Sequence, residues 1–428
     1  MWERVAHLWR IPELRKRILF TLGAVVVARL GALIPVPGVD PDALASVFRD
    51  QGGGVFGFIN MFTGGALFRF SLFALGVTPY INASIVFSLL TAVVPKLKEL
   101  QQQGREGRRK ITAYTRWATV GLAIVQAATM SLLIRQAAYS AGPWFFITTI
   151  VTLTTGTIFL MWLGERMTEN GIGNGISMLI MVGILSRFPA QIQETVLQIT
   201  SGSGSPFWGI AMIALFVVVV AAVVMIQQGQ RKIVIQYAKR TSGRRVYGGH
   251  TTHLPIRVNQ GGVIPIIFAS ALLTLPLTLT QWVDSLAFLQ AYLAPGRLVY
   301  VILYVLLIFF FTYFYSSIVF DPNDVAKNIR ESGGFIPGVR PGRPTSEHIS
   351  TVLNRILLIG ATFLASVAAL PYVFSALSGL SGAFIIGGTS LLIVVGVGMD
   401  TLMQVEAHLV MRHYESLTKS GGLLGRRG

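Results

Sequence analysis

The chain has 428 residues, of which 53% are hydrophobic and 12% are charged, and its formal net charge at pH 7 is +17. A soluble protein usually carries about 25% charged residues, so this composition indicates a membrane protein. The chain contains no cysteine, which excludes disulfide bonds, thiolate metal sites and cysteine nucleophiles.

Apolar runs of about 20 residues recur along the whole chain and predict membrane-spanning helices. The first run follows a basic leader, MWERVAHLWRIPELRKRILF, which has no small-residue cleavage site, so we expect a cytoplasmic amphipathic segment and not a removed signal peptide. In chain order the predicted spans are 18–34, 72–94, 116–134, 144–163, 173–188, 207–227, 261–282, 298–317, 352–370 and 384–405. The sequence therefore predicts an all-α polytopic membrane protein with ten transmembrane helices.

Positive charge distinguishes the loops on one side of the predicted membrane from those on the other. Lys and Arg crowd the leader, the tail and the loops after the second, sixth and eighth spans, whereas the alternate loops hold few. Because cytoplasmic loops carry the excess of Lys and Arg, both termini are predicted to be cytoplasmic.

Two of the basic cytoplasmic loops, at about 228–260 and 320–351, are longer than simple connections need. Long basic loops favour docking of a large acidic partner, such as ribosomal RNA or an acidic motor protein. Membrane topology, together with attraction to anionic lipid, explains most of the same charges without a partner.

A Gly/Ser-rich connector, TSGSGSP, follows the fifth span and divides the chain into two predicted halves. The N-terminal half covers 1–203 with five spans, and the C-terminal half covers 204–428 with five more. An odd number of spans in each half makes the second half inverted relative to the first, about an axis in the membrane plane. Folds of this type commonly place a transport pathway between the halves.

The motifs of nucleotide hydrolysis and of hydrolase chemistry are absent from the sequence. No P-loop, H-E-x-x-H or G-x-S-x-G pattern occurs, and His250 and His253 in a basic loop are better explained as a surface pair than as a metal site. The spans hold almost no carboxylates beyond Glu165 and Asp400. Coupled transporters place such groups at mid-membrane, so an inverted-repeat secondary transporter that uses Asp400 is one candidate function. An intramembrane enzyme would need a catalytic pair that the spans lack, so we predict no enzyme activity and no cofactor.

Residues 55–67 form an apolar stretch before the second span that is too short to cross a membrane. As a helix it would be about 20 Å long, whereas the apolar core of a bilayer is about 30 Å thick. Backbone inside lipid must be satisfied by protein or a water-filled cavity, so we expect the stretch to dip in from outside and return. It either caps a pore or packs as a buried helix. The glycines that would act as its hinges are Gly52, Gly53, Gly54, Gly64 and Gly65.

Several long motifs follow one another along the chain: RLGALIPVPG, NMFTGGAL with FSLFALGVTPYINASI, GIGNGIS, THLPIRVNQGGVIPIIFAS, FIPGVRPG and GGTSLLIVV. Over about residues 29 to 415 they resemble the bacterial SecY family, the central subunit of the protein-translocation channel. The resemblance implies a channel in the bacterial plasma membrane that passes unfolded secretory polypeptides and releases apolar segments sideways into lipid, driven by a motor or a ribosome.

The resemblance also implies an hourglass pore that a short plug helix closes from outside. The plug would cover about residues 54–67, including Asn60, Met61, Phe62, Thr63, Gly64 and Gly65. At the waist the family has a ring of aliphatic side chains, which here would be Ile81, Ile85, Ile176, Ile180, Ile264, Ile267 and Ile393. Spacings of four, four and three put each pair on one helix face, and an apolar constriction excludes ions by dewetting. Ordinary helix packing gives the same periodicity.

A lateral gate between the second and seventh spans would hold polar groups in or near its walls, namely Ser88, Gln126 and Ser270. Ordinary interhelical hydrogen bonds are the alternative for these three. The family implies as partners the small membrane subunits SecE and SecG, the motor ATPase SecA, the ribosome, signal sequences with their preproteins, and membrane lipid. Motor and ribosome would dock on Arg231, Lys232, Lys239, Arg240 and Arg340.

Overall fold

The computed structural model consists mainly of helices and describes residues 11–51, 60, 62–201, 206–237, 240–242, 245–247, 251–279, 292–293, 296–378 and 388–421. In chain order the helices are α1 Pro12–Gly31, α2 Pro41–Gln51, α3 Thr78–Val93, α4 Pro95–Gln102, α5 Arg105–Leu133, α6 Pro143–Asn170, α7 Gly175–Thr200, α8 Pro206–Gln228, α9 Ile264–Leu279, α10 Leu298–Val319, α11 Pro322–Glu331, α12 Arg343–Ser378 and α13 Thr389–Gly421. The strands are β1 Gln230–Tyr237, β2 Arg240–Ser242, β3 Arg245–Tyr247, β4 Thr251–Arg257 and β5 Gly334–Phe335.

A helix lies at each of the ten predicted spans. By length and composition, seven helices in the described part of the chain are able to cross a membrane, or eight if the bent pair α3 and α4 counts as one. Helix α1 falls outside this count because charged residues fill its first turns, and α9 does so because it has only 16 residues. The polytopic α-helical class is therefore confirmed, while the inverted relation of two halves stays a prediction.

Two helices begin well before their predicted spans, α5 at Arg105 and α12 at Arg343. Their added turns carry ion pairs one helical turn apart, Lys110 with Glu106 at 3.6 Å and Arg343 with Glu347 at 3.0 Å. Pairs of this spacing stabilise a helix in water by a few tenths of a kcal/mol, about 0.2–0.5. Hydropathy detects only the apolar part of such a helix, which explains the difference.

The chain divides into two compact units, and the first holds the described residues up to Leu197, those from Thr274 in α9 and those from Ile393 in α13. Within it α5 packs against α3 and α6, and α1 packs against α6. A fully buried apolar core joins α2, the stretch before α3, and the last turns of α5. Its members include Leu44, Phe48, Leu67, Phe70, Leu75, Ala127, Met130, Ile134 and Leu153.

The second unit holds the described residues between Gln198 and Leu273 and between Gly296 and Leu392. Here the two long basic loops contribute to an antiparallel sheet of order β4-β1-β5, which the sequence analysis did not predict. The alternation in QRKIVIQY buries Ile233 and Ile235 and exposes Val234 between them. These two side chains pack with residues of β4, α11 and α12 and with the residue that follows β5, namely Ile256, Ile329, Ile336, Ile349, Leu353 and Leu357.

The stretch between α2 and α3 departs from the prediction. Residues 63–77 form a run of tight turns, so the predicted second span at 72–94 becomes helical only at Thr78. The helix predicted at about 54–67 does not extend over 63–67, because Gly64 and Gly65 have φ angles of +66° and +89°, which a right-handed helix cannot contain. Residues 52–59 and Met61, which the prediction included, lie outside the described residues.

Candidate functional site

The turn segment, defined as Asn60 with residues 62–77, is tied to the chain that follows α1. The backbone amide of Val36 donates to the Phe70 carbonyl at 2.9 Å, and the amide of Leu72 donates to the Ile34 carbonyl at 2.8 Å. These two bonds flank an antiparallel bridge between Pro35 and Ser71. Protein groups therefore satisfy part of this irregular backbone, as the bilayer interior requires of any non-helical segment.

Asn60 organises the turns from a fully buried position. Its side-chain oxygen accepts from the Phe68 amide at 3.1 Å, and its carbonyl accepts from the Gly65 amide at 3.0 Å. The Thr63 hydroxyl donates to the same Asn60 carbonyl at 3.2 Å. The polar residues of NMFTGGAL thus hold the turns together, which is the chemical reason for polar side chains in an apolar stretch.

Gly64 lies against Gly183 of α7 at backbone distance. A Cβ atom at residue 64 would lie 2.8 Å from the Gly183 carbonyl oxygen, and a Cβ atom at residue 183 would lie 2.6 Å from the Phe62 carbonyl oxygen. Both distances are below any ordinary carbon–oxygen contact. The site therefore requires glycine twice, once for φ and once for the close approach of α7.

Arg29 of α1 reaches the turn segment from the other side. Its Nη2 donates to the Gly64 carbonyl at 3.3 Å, and the Ser186 hydroxyl lies 3.5 Å from the same oxygen. Arg187 lies over the Phe68 ring at 5.9 Å. In the described part of the chain none of the ion pairs includes Arg29, Arg69 or Arg187. Sequence analysis missed Arg29, Gly183 and Ser186, although an arginine inside a predicted span was a usable signal.

The predicted ring isoleucines lie on helices, and most are buried. Ile81 and Ile85 share one face of α3, while Ile180 of α7 is 2% exposed and Ile393 of α13 is fully buried. Ile176 is half-buried and packs against Gly164 of α6. Ile264 and Ile267 lie one turn apart on α9 in the second unit. The faces are as expected, and the role of the ring stays a prediction.

The predicted gate residues make mostly local contacts. Ser270 is 3% exposed and donates to the Ile267 carbonyl of its own helix at 2.8 Å. Ser88 and Gln126 are half-buried on α3 and α5, and the Ser88 carbonyl accepts from the Thr91 hydroxyl at 2.8 Å. A serine that bonds within its own turn needs no partner on another helix, so for Ser270 an interhelical latch is not required by hydrogen bonding.

The predicted docking residues belong to two loops that the sheet joins. Arg231 and Lys232 are exposed at the start of β1, and the far end of β1 pairs with β5, which precedes the Arg340 loop. Arg340 is exposed, with Gly338 and Gly342 beside it at φ angles of +81° and +108°. Its carbonyl accepts from the Thr345 hydroxyl at 2.8 Å, which fixes the loop onto α12. Lys239 and the side chain of Arg240 lie outside the described residues.

The GIGNGIS motif forms a turn that neighbouring helices hold from two sides. Arg17 of α1 donates to the Gly171 carbonyl at 3.1 Å, and the Ile172 amide donates to the Thr21 hydroxyl at 3.1 Å. The Gly173 amide donates to the side chain of Gln404 in α13 at 2.9 Å. The motif therefore joins α1, α7 and α13, a role that its sequence does not reveal.

The carboxylates that a coupled transporter needs are scarce in the described spans. Glu165 of α6 makes a short ion pair with Arg116 of α5, with 2.8 Å between Oε2 and Nη2. A paired carboxylate that joins two helices has a structural explanation. No group of three or more acidic or histidine side chains in the described residues has the geometry of a metal site.

Comparison with known proteins identifies the family. The SecY family model matches residues 71–402. This chain belongs to the SecY family. The protein translocase subunit SecY of Thermotoga maritima is 46% identical over the full length of both chains, and that of Escherichia coli K12 is 43% identical over 97% of this chain and 96% of its own. Protein translocation through a channel is therefore the function class of the chain, and the SecY subunit is not an enzyme.

Solved structures share the fold at lower sequence identity. One reported as the structure of a protein conducting channel has a TM-score of 0.67 at 18% identity and covers 95% of this chain and 97% of its own. A second concerns the plug domain of SecY, described there as stabilising the closed channel and maintaining a membrane seal, with a TM-score of 0.65 at 19% identity over the same shares. A third is Sec61 in a canine ribosome-channel complex, with a TM-score of 0.64 at 17% identity and again the same shares.

Proposed function

We propose that the chain forms the pore of a bacterial plasma-membrane translocation channel, passing unfolded secretory polypeptides and releasing apolar segments sideways into lipid. The observation that carries this proposal is how the turn segment packs against α7. The glycine end of the turn segment, Asn60 with residues 62–66, lies against the backbone of α7 through Gly64 and Gly183. Only a few polar contacts hold this end there, whereas Leu67, Phe70 and Leu75 anchor the rest of the segment in the apolar core. Such a segment is able to close a pore and still leave when a polypeptide enters.

The glycine end, which falls within the predicted plug of about residues 54–67, acts as the plug of the closed channel. Its two contacts from side chains to the Gly64 carbonyl are long, at 3.3 and 3.5 Å, so their loss costs little. The positive φ angles of Gly64 and Gly65 provide a hinge without side-chain strain. The SecY relative whose plug domain maintains a membrane seal supports the same assignment by analogy.

The isoleucine ring forms the constriction that the plug covers. Its seven members are Ile81, Ile85, Ile176, Ile180, Ile264, Ile267 and Ile393, and their assignment rests on the family resemblance. A constriction of apolar side chains that is too narrow to stay hydrated blocks ions, and it does so without binding a passing polypeptide. The lateral gate beside the ring uses Ser88, Gln126 and Ser270.

The exposed basic surface of the second unit is the docking site for the partners that drive transport. Arg231, Lys232 and Arg340 are exposed on one ordered sheet-and-helix layer, and Lys239 and Arg240 belong to the same chain segment as β1. The ribosome-bound Sec61 neighbour favours a ribosome among these partners. SecA would use the same surface, and SecE and SecG would complete the channel in the membrane.

The proposed orientation places both termini and this basic layer in the cytoplasm. The chain has no cysteine, so a single introduced cysteine is a clean label. A cysteine at the exposed position Asn328 should react only from the cytoplasmic side, and one at Ser140 only from outside. The opposite labelling would reject the orientation.

The test of the function is reconstitution. Purified chain with its small subunits, in sealed vesicles with a motor or ribosomes, should protect a labelled preprotein from added protease. A version with Gly65→Cys and Arg187→Cys, where a Cβ atom on residue 65 would lie 3.5 Å from the Arg187 side chain, joined by a short reducible crosslinker, should block protection until a reductant opens the bridge. Protection that is equal with the bridge closed and open would show that the turn segment does not move during transport.

A further inference from the structure

A cavity of about 560 Å³ lies in the second unit where α10 ends and α11 begins, with α12 forming its other wall. This volume falls in the range of about 300–1,000 Å³ that is typical of small-molecule sites. Aromatic rings of α10 and of the connection to α11 make up much of the lining, those of Phe310, Tyr313, Phe314 and Phe320. The rings of Phe310 and Phe314 are stacked, with centroids 5.8 Å apart.

Each polar side chain of the cavity carries an oxygen that accepts hydrogen bonds, and the one charged group is an acceptor alone. Asp321 is the only charged residue of the lining, and neither Lys nor Arg contributes to it. Its Oδ1 accepts from the Asn323 amide at 2.8 Å, and Asn354 and three serines supply further oxygens. The hydroxyl of Ser316 is 1% exposed and has no hydrogen-bond partner among the described residues. A buried hydroxyl without a partner costs about 1–3 kcal/mol, so the cavity contains a group that a ligand would satisfy.

The position of the cavity determines which kind of ligand is able to reach it. Helix α10 is apolar from Leu298 to Val319, and the charged helix α11 follows directly after Phe320. The cavity therefore lies at a membrane boundary, at the level of lipid headgroups. Phe310 is 53% exposed on the apolar side of the same cavity, so an acyl chain has a surface to lie on while a headgroup enters.

We propose that this cavity binds the primary ammonium headgroup of a membrane phospholipid, namely phosphatidylethanolamine. Aromatic faces attract a cation within about 6 Å, and the carboxylate of Asp321 adds an opposite charge. A primary ammonium has three donors and no acceptor, which matches a lining of oxygens that includes the unpaired Ser316 hydroxyl. A quaternary ammonium has no donor for these oxygens, and an anionic headgroup is repelled by Asp321.

The experiment measures which lipid stays with the protein. The purified chain, with any subunits that co-purify, is placed in nanodiscs of equal phosphatidylethanolamine and phosphatidylcholine with the same acyl chains, and native mass spectrometry counts the retained lipids. We expect one phosphatidylethanolamine per chain, preferred about fivefold over phosphatidylcholine, as for a partly exposed ion pair.

Matched variants assign the preference to the cavity. Asp321→Asn keeps the helix cap, since Asn caps as well as Asp, and should abolish the preference. Asp324→Asn makes the same change on the same helix outside the lining and should keep it. Ser316→Ala should lower the preference without removing it.

Three results would overturn the proposal. The first is equal retention of both lipids by the unchanged protein. The second is an equal loss in Asp321→Asn and Asp324→Asn, which would mean general surface charge and not this cavity. The third is disappearance of the retained lipid whenever other subunits are bound, which would mean that a partner segment occupies the cavity.

Discussion

The glycine end of the turn segment and the sheet domain, which comprises β1, β4, β5, α11 and the first turns of α12, are stabilised in different ways. The sheet domain has a continuous aliphatic core and a strand ladder of seven residue pairs between β1 and β4. The glycine end has hydrogen bonds to Asn60, a backbone contact between two glycines and one arginine from α1, while the apolar core begins only at Leu67. An element that presents charge to partners benefits from rigidity, whereas an element that opens needs contacts that are few and individually weak.

The largest effect is expected when the backbone contact between Gly64 and Gly183 is removed. Gly64→Val adds a side chain 2.8 Å from the Gly183 carbonyl and 2.5 Å from Arg29 Nη1 at a φ of +66°. We expect the segment to lose its closed position against α7. Ion conductance in planar bilayers should rise about 100-fold, which corresponds to a ~2.7 kcal/mol loss of stability of the closed state. Gly65→Val is the control, because its φ is also positive but its nearest neighbours are 3.5 Å away. Equal conductance in the two variants would refute the close-contact argument.

The second prediction tests whether the isoleucine ring is the barrier to ions. Ile180→Asn should hydrate the constriction and raise ion conductance about tenfold. Leu179→Asn is the matched control, because Leu179 is also buried on α7 but is not one of the seven predicted ring residues. Both variants lose stability through a buried amide, so a leak shared by both would identify loosened packing and not a ring.

The third prediction concerns the sheet domain. Arg340→Glu should leave expression and assembly intact but reduce motor-driven preprotein transport about tenfold, and Arg340→Lys should be partly defective because lysine lacks the planar fork. Arg343→Glu is the control, since Arg343 is 91% exposed and its pair with Glu347 contributes little. Wild-type transport by Arg340→Glu would remove Arg340 from the docking surface.

The smallest expected effect is at Arg29. Arg29→Gln shortens the donor that reaches the Gly64 carbonyl at 3.3 Å, and we expect a conductance about fivefold above wild type, as for one hydrogen bond of ~1 kcal/mol. Arg69→Gln, which changes an exposed arginine of the same segment, should have no effect. An unchanged conductance in Arg29→Gln would show that the glycine contact alone holds the segment.

Features that depend on residues close together in the sequence were predicted, and contacts between residues far apart in the sequence were not. A helix lies at each of the ten predicted spans, with shifted ends at several of them, because burial in lipid acts on each run of residues separately. The predicted plug helix was wrong over 63–67, where Gly64 and Gly65 have positive φ angles, although a glycine pair is a local signal for such a turn. The motifs also predicted the family, which the comparisons confirmed.

The sequence by itself therefore determined the membrane class, the approximate positions of ten helices and the family. Only the tertiary structure decided that Gly183 and Arg29 hold Gly64, since these residues are 119 and 35 positions away from it along the chain. The pairing of β1 with β5 was equally hidden, because Gln236 and Phe335 belong to different loops. The physical reason is the same in both cases: close backbone approach and strand pairing depend on which segments folding brings together, and hydropathy or spacing within one segment carries no information about that partner.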